Sequence, residues 1–252
     1  MCGRFAITST PDAIRRLFGY PEQPNFPPRH NIAPTQPVPI VRLWEGKRQF
    51  ALVRWGLMPS WVKDPRNFAQ LHNARTDSVL DKPAFRNAMK YRRCLFIADG
   101  FYEWPPGTDG RIKPHFVRLT SGAPMAFAGL WESWIGPNGE EFESAAIITT
   151  EANRTLAPVH HRMPVIVPPA AFDFWLDCRN VDAQMATALL APAPDDAVEI
   201  YPVSPAVNRT VNDSAELMLP YDASTQPAPP PPASRKKVLK ESRLDDGQAS
   251  LF

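Results

Sequence analysis

The chain has 252 residues, 44% hydrophobic and 21% charged, the balance of a soluble globular protein with one large domain or two small ones. Thirty prolines against twelve glycines exclude a helical bundle or coiled coil, because each proline removes a backbone donor and clashes with the preceding turn. A formal charge of +2 excludes a histone-like polycation but permits a local basic groove, and no apolar run approaches the ~18 residues of a membrane-spanning helix.

Arg4 stands in the first turn of sequence with no long apolar stretch behind it, so no signal peptide is expected. Residues 3–7 read as a strand. Thr10 then caps a helix with Pro11 in its first turn, Ile14, Leu17 and Phe18 on one face and Gly19 as its stop. Strands follow at 38–43 and 49–55, and a proline-initiated helix near Pro83. Further strands are expected at 94–98, 115–119 and 125–130. Pro137-Asn138-Gly139-Glu140 then forms a hairpin turn leading into strands at 144–149 and 164–167. Helices near Pro168 and over 181–190 precede a last strand at 198–203.

Strands outnumber helices. The fold class is therefore α+β, mainly β: a curved, mostly antiparallel sheet or barrel with peripheral helices. Residues 2–221 read as one domain. Residues 222–252 carry Pro227, a proline run at 229–232, and Arg235, Lys236, Lys237, Lys240 and Arg243, with few large apolar residues, which reads as a disordered tail.

Cys2, Cys94 and Cys178 cannot all pair and lack the spacing of a zinc cluster, so no metal and a reducing cytoplasm are expected. Cys94 and Cys178 sit among apolar residues as small hydrophobes. Cys2 has no such apolar bed. Once Met1 is removed it carries an amine (~7.7–8.0) and a thiol (~8.5) on adjacent carbons, and both are nucleophiles near neutral pH. An amine adds to an aldehyde as an imine, and the neighbouring thiol can close a thiazolidine. On position alone, a cysteine that happens to lie second is the commoner case.

Six blocks alter that balance. They are Met1-Cys2-Gly3-Arg4-Phe5, Asn31-Ile32-Ala33-Pro34-Thr35, Trp55-Gly56-Leu57-Met58-Pro59-Ser60-Trp61, Asn73-Ala74-Arg75, Gly100-Phe101-Tyr102-Glu103-Trp104, and His160-His161-Arg162-Met163-Pro164. In this order they resemble the SOS-response-associated peptidase (SRAP) family, whose members crosslink to abasic sites in single-stranded DNA. The resemblance implies a covalent thiazolidine through Cys2, with self-processing peptidase and abasic-site lyase activities beside it and no cofactor. It implies that Asn73 holds the cysteine backbone and that Glu103 and His160 transfer protons. His161, at the variable position, is left outside this set.

A guanidinium fork suits phosphate, and the family places arginines where Arg4, Arg75 and Arg162 stand. Trp61, Met58 and Pro59 offer apolar surface for an unstacked base. Glu103 lies between Tyr102 and Trp104, aromatics that raise its pKa if they exclude water. Thr76-Asp77 follows Arg75 where many relatives carry a glutamate. The expected protein is a monomer near the nucleoid or replication machinery. Its terminal Gln248, Leu251 and Phe252 resemble the peptide that enters the sliding-clamp pocket.

Two other readings stay open. Glutamine amidotransferases also begin Met-Cys-Gly, but they leave the Asn-Ala-Arg, Phe-Tyr-Glu-Trp and His-x-Arg-Met-Pro blocks unexplained. A non-covalent single-strand-binding or clamp-recruited adaptor needs no free N-terminal cysteine.

Overall fold

The computed structural model describes residues 2–105 and 113–222. Its strands, in chain order, are β1 (Phe5–Ile7), β2 (Arg29–Ile32), β3 (Pro37–Trp44), β4 (Lys47–Trp55), β5 (Asn73–Arg75), β6 (Arg93–Ala98), β7 (Gly100–Glu103), β8 (His115–Leu119), β9 (Met125–Ile135), β10 (Glu141–Glu151), β11 (Arg162–Pro164), β12 (Ile166–Val167) and β13 (Val198–Pro202). The helices are α1 (Pro11–Phe18), α2 (Arg86–Tyr91), α3 (Phe172–Leu176) and α4 (Ala183–Ala186), with short 3-10 turns between elements.

Five strands close into a barrel. β3 pairs antiparallel with β4 and β6, β6 with β9, and β9 with β10; a parallel pairing of β10 with β4 completes the ring. β10 outruns its barrel partners. Beyond β4 its free edge takes β5 in parallel, and beyond β9 the other edge takes β11 antiparallel. A second, wholly antiparallel sheet has the order β13-β8-β7-β1-β2.

Strand alternation joins the two sheets. Phe5, on one face of β1, meets the rings of Trp55 (5.0 Å), Phe127 (6.2 Å) and Phe96 (6.4 Å) from the barrel strands. Ala6 and Tyr102 point the other way, into a second cluster with Phe116, Val203, Val207 and Leu217. Each fully buried ring contributes ~1.5–3 kcal/mol, so the sheets are held by packing as well as by chain connection. Within the second sheet β7 needs Gly100 beside β8: a Cβ there would lie 2.3 Å from the Phe116 ring.

Between β4 and β5 the chain leaves the barrel and returns. A bridge between Leu57 and Leu71 closes this excursion, with Leu57 N–H donating to Leu71 O at 3.0 Å. Inside it, Asp64 accepts from Arg66 N–H at 3.0 Å and starts a 3-10 turn.

α1 forms as its signals require. Thr10 Oγ1 accepts from Ala13 N–H, and Gly19, at φ 70°, donates to Arg15 O at 2.8 Å. The hairpin turn before Glu141 is also present, with Gly139 at φ 85°. Other boundaries differ from expectation. The helix near Pro83 begins at Arg86, because residues 83–85 form a turn first. The stretch 181–190 is one turn of α-helix capped by Asp182, followed by a 3-10 turn. Cys94 is buried, but Cys178 is only half-buried. Among the described residues no helix is long and apolar enough to cross a membrane. The tail from residue 223 on, including Gln248, Leu251 and Phe252, lies outside the described residues.

Candidate active site

The register of β1 against β7 brings the first residues to the end of the Glu103 strand. Phe5 lies opposite Phe101, and Tyr102 N–H donates to Arg4 O at 2.9 Å, so the chain before Arg4 runs alongside Glu103. Asn73 arrives from the barrel side, fixed on β5 by pairing with Ile147 of β10. Its Nδ2 donates to the Cys2 carbonyl at 2.9 Å. Its Oδ1 is buried and has no hydrogen-bond partner among the described residues, leaving an acceptor beside the cysteine.

Cys2 does have an apolar bed, contrary to expectation. It is fully buried in the main core cluster, next to the strand whose Phe5 packs against Trp55, Phe96 and Phe127 of the barrel. Burial, and after it the nearby Glu103 charge, holds its thiol well above the usual range. The thiol is therefore protonated at neutral pH.

Glu103 is 2% exposed, and burial pushes its carboxyl up to about 7, against a smaller opposing pull from the amino-terminal charge. The cause is not the flanking aromatics proposed from sequence. Neighbours on a strand face opposite ways, so Tyr102 points into the second cluster and donates its hydroxyl to His30 O at 2.7 Å. Trp104 is half-buried, with its Nε1 on Asn208 Oδ1 at 2.7 Å. Glu103 shares the core-facing side of β7 with Phe101, and that side excludes water.

His160 precedes β11 and is half-buried. Its Nδ1 lies 3.0 Å from the Arg162 amide nitrogen and 3.0 Å from the Arg162 carbonyl oxygen. One backbone residue thus serves either tautomer, accepting from a protonated Nδ1 or donating to a bare one. Nε2 can accordingly carry a proton or accept one with little change elsewhere. Burial foremost, then the amino-terminal charge, lowers the pKa of this imidazole.

The arginines fall into different environments. Arg75 is exposed, and its Nε lies 3.0 Å from Asp77 Oδ2 while its Nη2 binds the same carboxylate. Arg162 is 4% exposed: Nε donates to Thr149 Oγ1 at 3.3 Å and Nη2 to the Thr149 carbonyl. Burial, and next the charge of Arg75, lowers its pKa, which places the two guanidinium groups in one field. Both line a cavity of about 410 Å³ with Glu151, Ala152, Ala157 and His161. Arg4 is occupied structurally, donating to Asn31 Oδ1 at 2.7 Å and Val207 O at 2.8 Å.

The apolar trio expected to meet a base is divided. Trp61 is 57% exposed and edge-on to Phe68 at 5.6 Å. Met58 and Pro59 are buried and offer no open surface. The Met58 amide donates to Ser144 Oγ at 2.8 Å, which draws its side chain down onto Val62 and Trp134.

His72 was not anticipated. Its carbonyl accepts from Trp55 Nε1 at 2.9 Å, its ring stands edge-on to Trp55, and burial lowers its pKa. The available signal was its place directly before Asn73.

A family model described as SOS response associated peptidase (SRAP) matches residues 1–210. The abasic site processing protein YoaM of Bacillus subtilis (strain 168) is 37% identical over 222 residues, spanning 86% of this chain and 97% of the relative. The abasic site processing protein HMCES of Rattus norvegicus is 31% identical over 291 residues, spanning 95% of this chain and 82% of the relative. A crystal structure of a Bacteroides thetaiotaomicron protein covers 87% of this chain and 100% of its own with TM-score 0.79 at 21% identity, a likeness of fold. A phage-related protein from Bordetella bronchiseptica covers 80% of this chain and 94% of its own with TM-score 0.64 at 29% identity.

Proposed function

The chain belongs to the SOS response associated peptidase (SRAP) family, and from that premise we propose that it captures abasic sites in single-stranded DNA as a thiazolidine on Cys2. The observation that carries this reading is the convergence on Cys2 of Asn73, at 2.9 Å from its carbonyl, and of Glu103, a buried carboxyl at about 7.

Removal of Met1 turns the Cys2 amide nitrogen into a primary amine. With the thiol held protonated, the amine is the first nucleophile. It adds to the C1′ aldehyde of the ring-opened deoxyribose to give a carbinolamine. Glu103 donates its proton to the departing hydroxyl, so water leaves and an iminium and a carboxylate remain. The sulfur then adds to the iminium carbon while its proton returns to Glu103. Amine, thiol and aldehyde have become one thiazolidine and one water, and the carboxyl is restored.

His160, able to hold or accept a proton at Nε2, serves the ring opening that frees the aldehyde. Asn73 fixes the Cys2 backbone without competing for protons. Arg75, exposed beside the site, meets phosphate directly. Arg162 acts from below, as a buried charge, and Arg4 and Met58 shape the walls. Trp61 is the exposed ring on which a base can rest.

The test is a denaturing gel with abasic single-stranded DNA. Wild type gives a heat-stable adduct; Cys2→Ala and an uncleavable N-terminal extension do not. An undiminished thiazolidine yield from the extended protein overturns the mechanism, because ring closure consumes both amine and thiol. Ammonia release from glutamine without any adduct selects the amidotransferase reading instead.

A further inference from the structure

His161 is exposed, yet its ring lies over that of His160 with centroids 4.5 Å apart and planes inclined by 25°. Consecutive residues of an extended chain project to opposite sides, so adjacent rings meet only where the backbone bends. Here both residues are tied. His160 N–H donates to Leu156 O at 3.0 Å, from the turn at 154–159, and His161 O accepts from Ala152 N–H at 3.0 Å, at the end of β10. Arg162 then fixes the Nδ1 edge of the His160 ring. One face of that ring is covered by an imidazole and one edge is pinned by backbone.

We infer that His161 is a positioning residue for His160, holding its ring plane from one face and, when charged, keeping a proton off it. The inference rests on His160 acting in proton transfer at the proposed site. The charges that act on His160 are those of His161 and Arg162 from its own segment and of the amino terminus, and Arg162 in turn feels Arg75 and Asp77 from β5 and the turn after it and Glu151 from β10. After burial and the amino terminus, the charged forms of His161 and Arg162 act in the same direction on His160, and the hydrogen bond to Arg162 opposes them.

This arrangement matters once DNA is present. Phosphates raise the proton affinity of any base near them, which draws a histidine toward its charged form. His161 lines the same cavity as the exposed Arg75 and also stacks on the His160 ring, so it links the phosphate-facing side of that cavity to His160. Its cover and its charge both counter that pull and keep His160 able to accept a proton. Removing the ring admits water to one face of His160 and deletes a like charge, and each change raises proton affinity.

The experiment follows the imidazole resonances of the mature protein through a pH titration, with His160 assigned by His160→Gln. The same proteins are assayed for single-turnover crosslinking across pH. His161→Ala raises the His160 midpoint by about half a pH unit, and His161→Phe, which keeps an aromatic cover, raises it by less. The acid limb of the crosslinking profile moves by the same amount, so the rate deficit grows as pH falls through the midpoint and levels off at about threefold below it. An unmoved His160 midpoint in both variants overturns the inference, as does a loss of rate that is equal at every pH. Unchanged crosslinking in His160→Gln overturns the role given to His160 and is read separately from the titration.

Discussion

Glu103 offers a measurement that does not depend on DNA. Burial moves its carboxyl from the ordinary 4.5 to about 7. At ~1.4 kcal/mol for each pH unit, this disfavours the ionised form in the folded chain by about 3 kcal/mol. The folded state binds a proton that the unfolded state has already released between pH 4.5 and 7. Stability from this group is therefore full below pH 4.5, declines as pH rises through the window, and is gone above about 7. Glu103→Gln cannot titrate. Scanning calorimetry on both proteins from pH 4 to pH 8 should show the variant gaining on wild type as pH rises, by about 6–12 °C in Tm across the range. Titrating groups not coupled to Glu103 cancel in the difference. A Tm difference flat to within ~2 °C would refute a buried, proton-holding carboxyl, and with it the donor and acceptor roles assigned to Glu103.

Asn73→Ala should slow crosslinking tenfold or more in single-turnover assays, while the lost bond to the Cys2 carbonyl costs about 1 kcal/mol in thermal unfolding. Asp77→Asn should free the Arg75 fork from its carboxylate. Single-strand affinity by fluorescence anisotropy should then rise a few-fold, and the salt dependence should steepen by up to ~0.7 in log–log slope, the signature of one more phosphate contact. Weaker binding by Asp77→Asn would mean that Arg75 needs its carboxylate to stay in place.

Much of this was legible where local chemistry decides. Thr10, Pro11 and Gly19 bracket α1 because capping and left-handed backbone are properties of single residues. Asn138-Gly139 marks a hairpin for the same reason. β2, β5 and β7 escaped notice because three or four residues carry too little alternation, and Asn73-Ala74-Arg75 is a strand only because β10 supplies the partner. Cys2, Asn73 and Glu103, which the fold brings together, could be named from their sequence blocks. Their burial was not: Met58, Arg162 and Cys2 are covered by elements distant in sequence, and no periodicity around them records that. His161 stands at a variable position of its block, and its contact depends on a bend that backbone bonds to Leu156 and Ala152 impose.

The Leu57–Leu71 bridge makes the excursion between β4 and β5 an interchangeable part. A loop whose ends are already joined can lengthen at little cost, ~0.6 kcal/mol for each doubling. Changes beyond Val62 and before Leu71 therefore leave Asn73 in register on β10. What they alter is the outlying surface of Trp61 and Phe68, with Lys63 and Arg66 nearby. Reach and chemistry are decoupled at that bridge. Selection, or an engineer grafting a longer loop, can reshape that surface and inherit the Cys2, Asn73 and Glu103 arrangement unchanged.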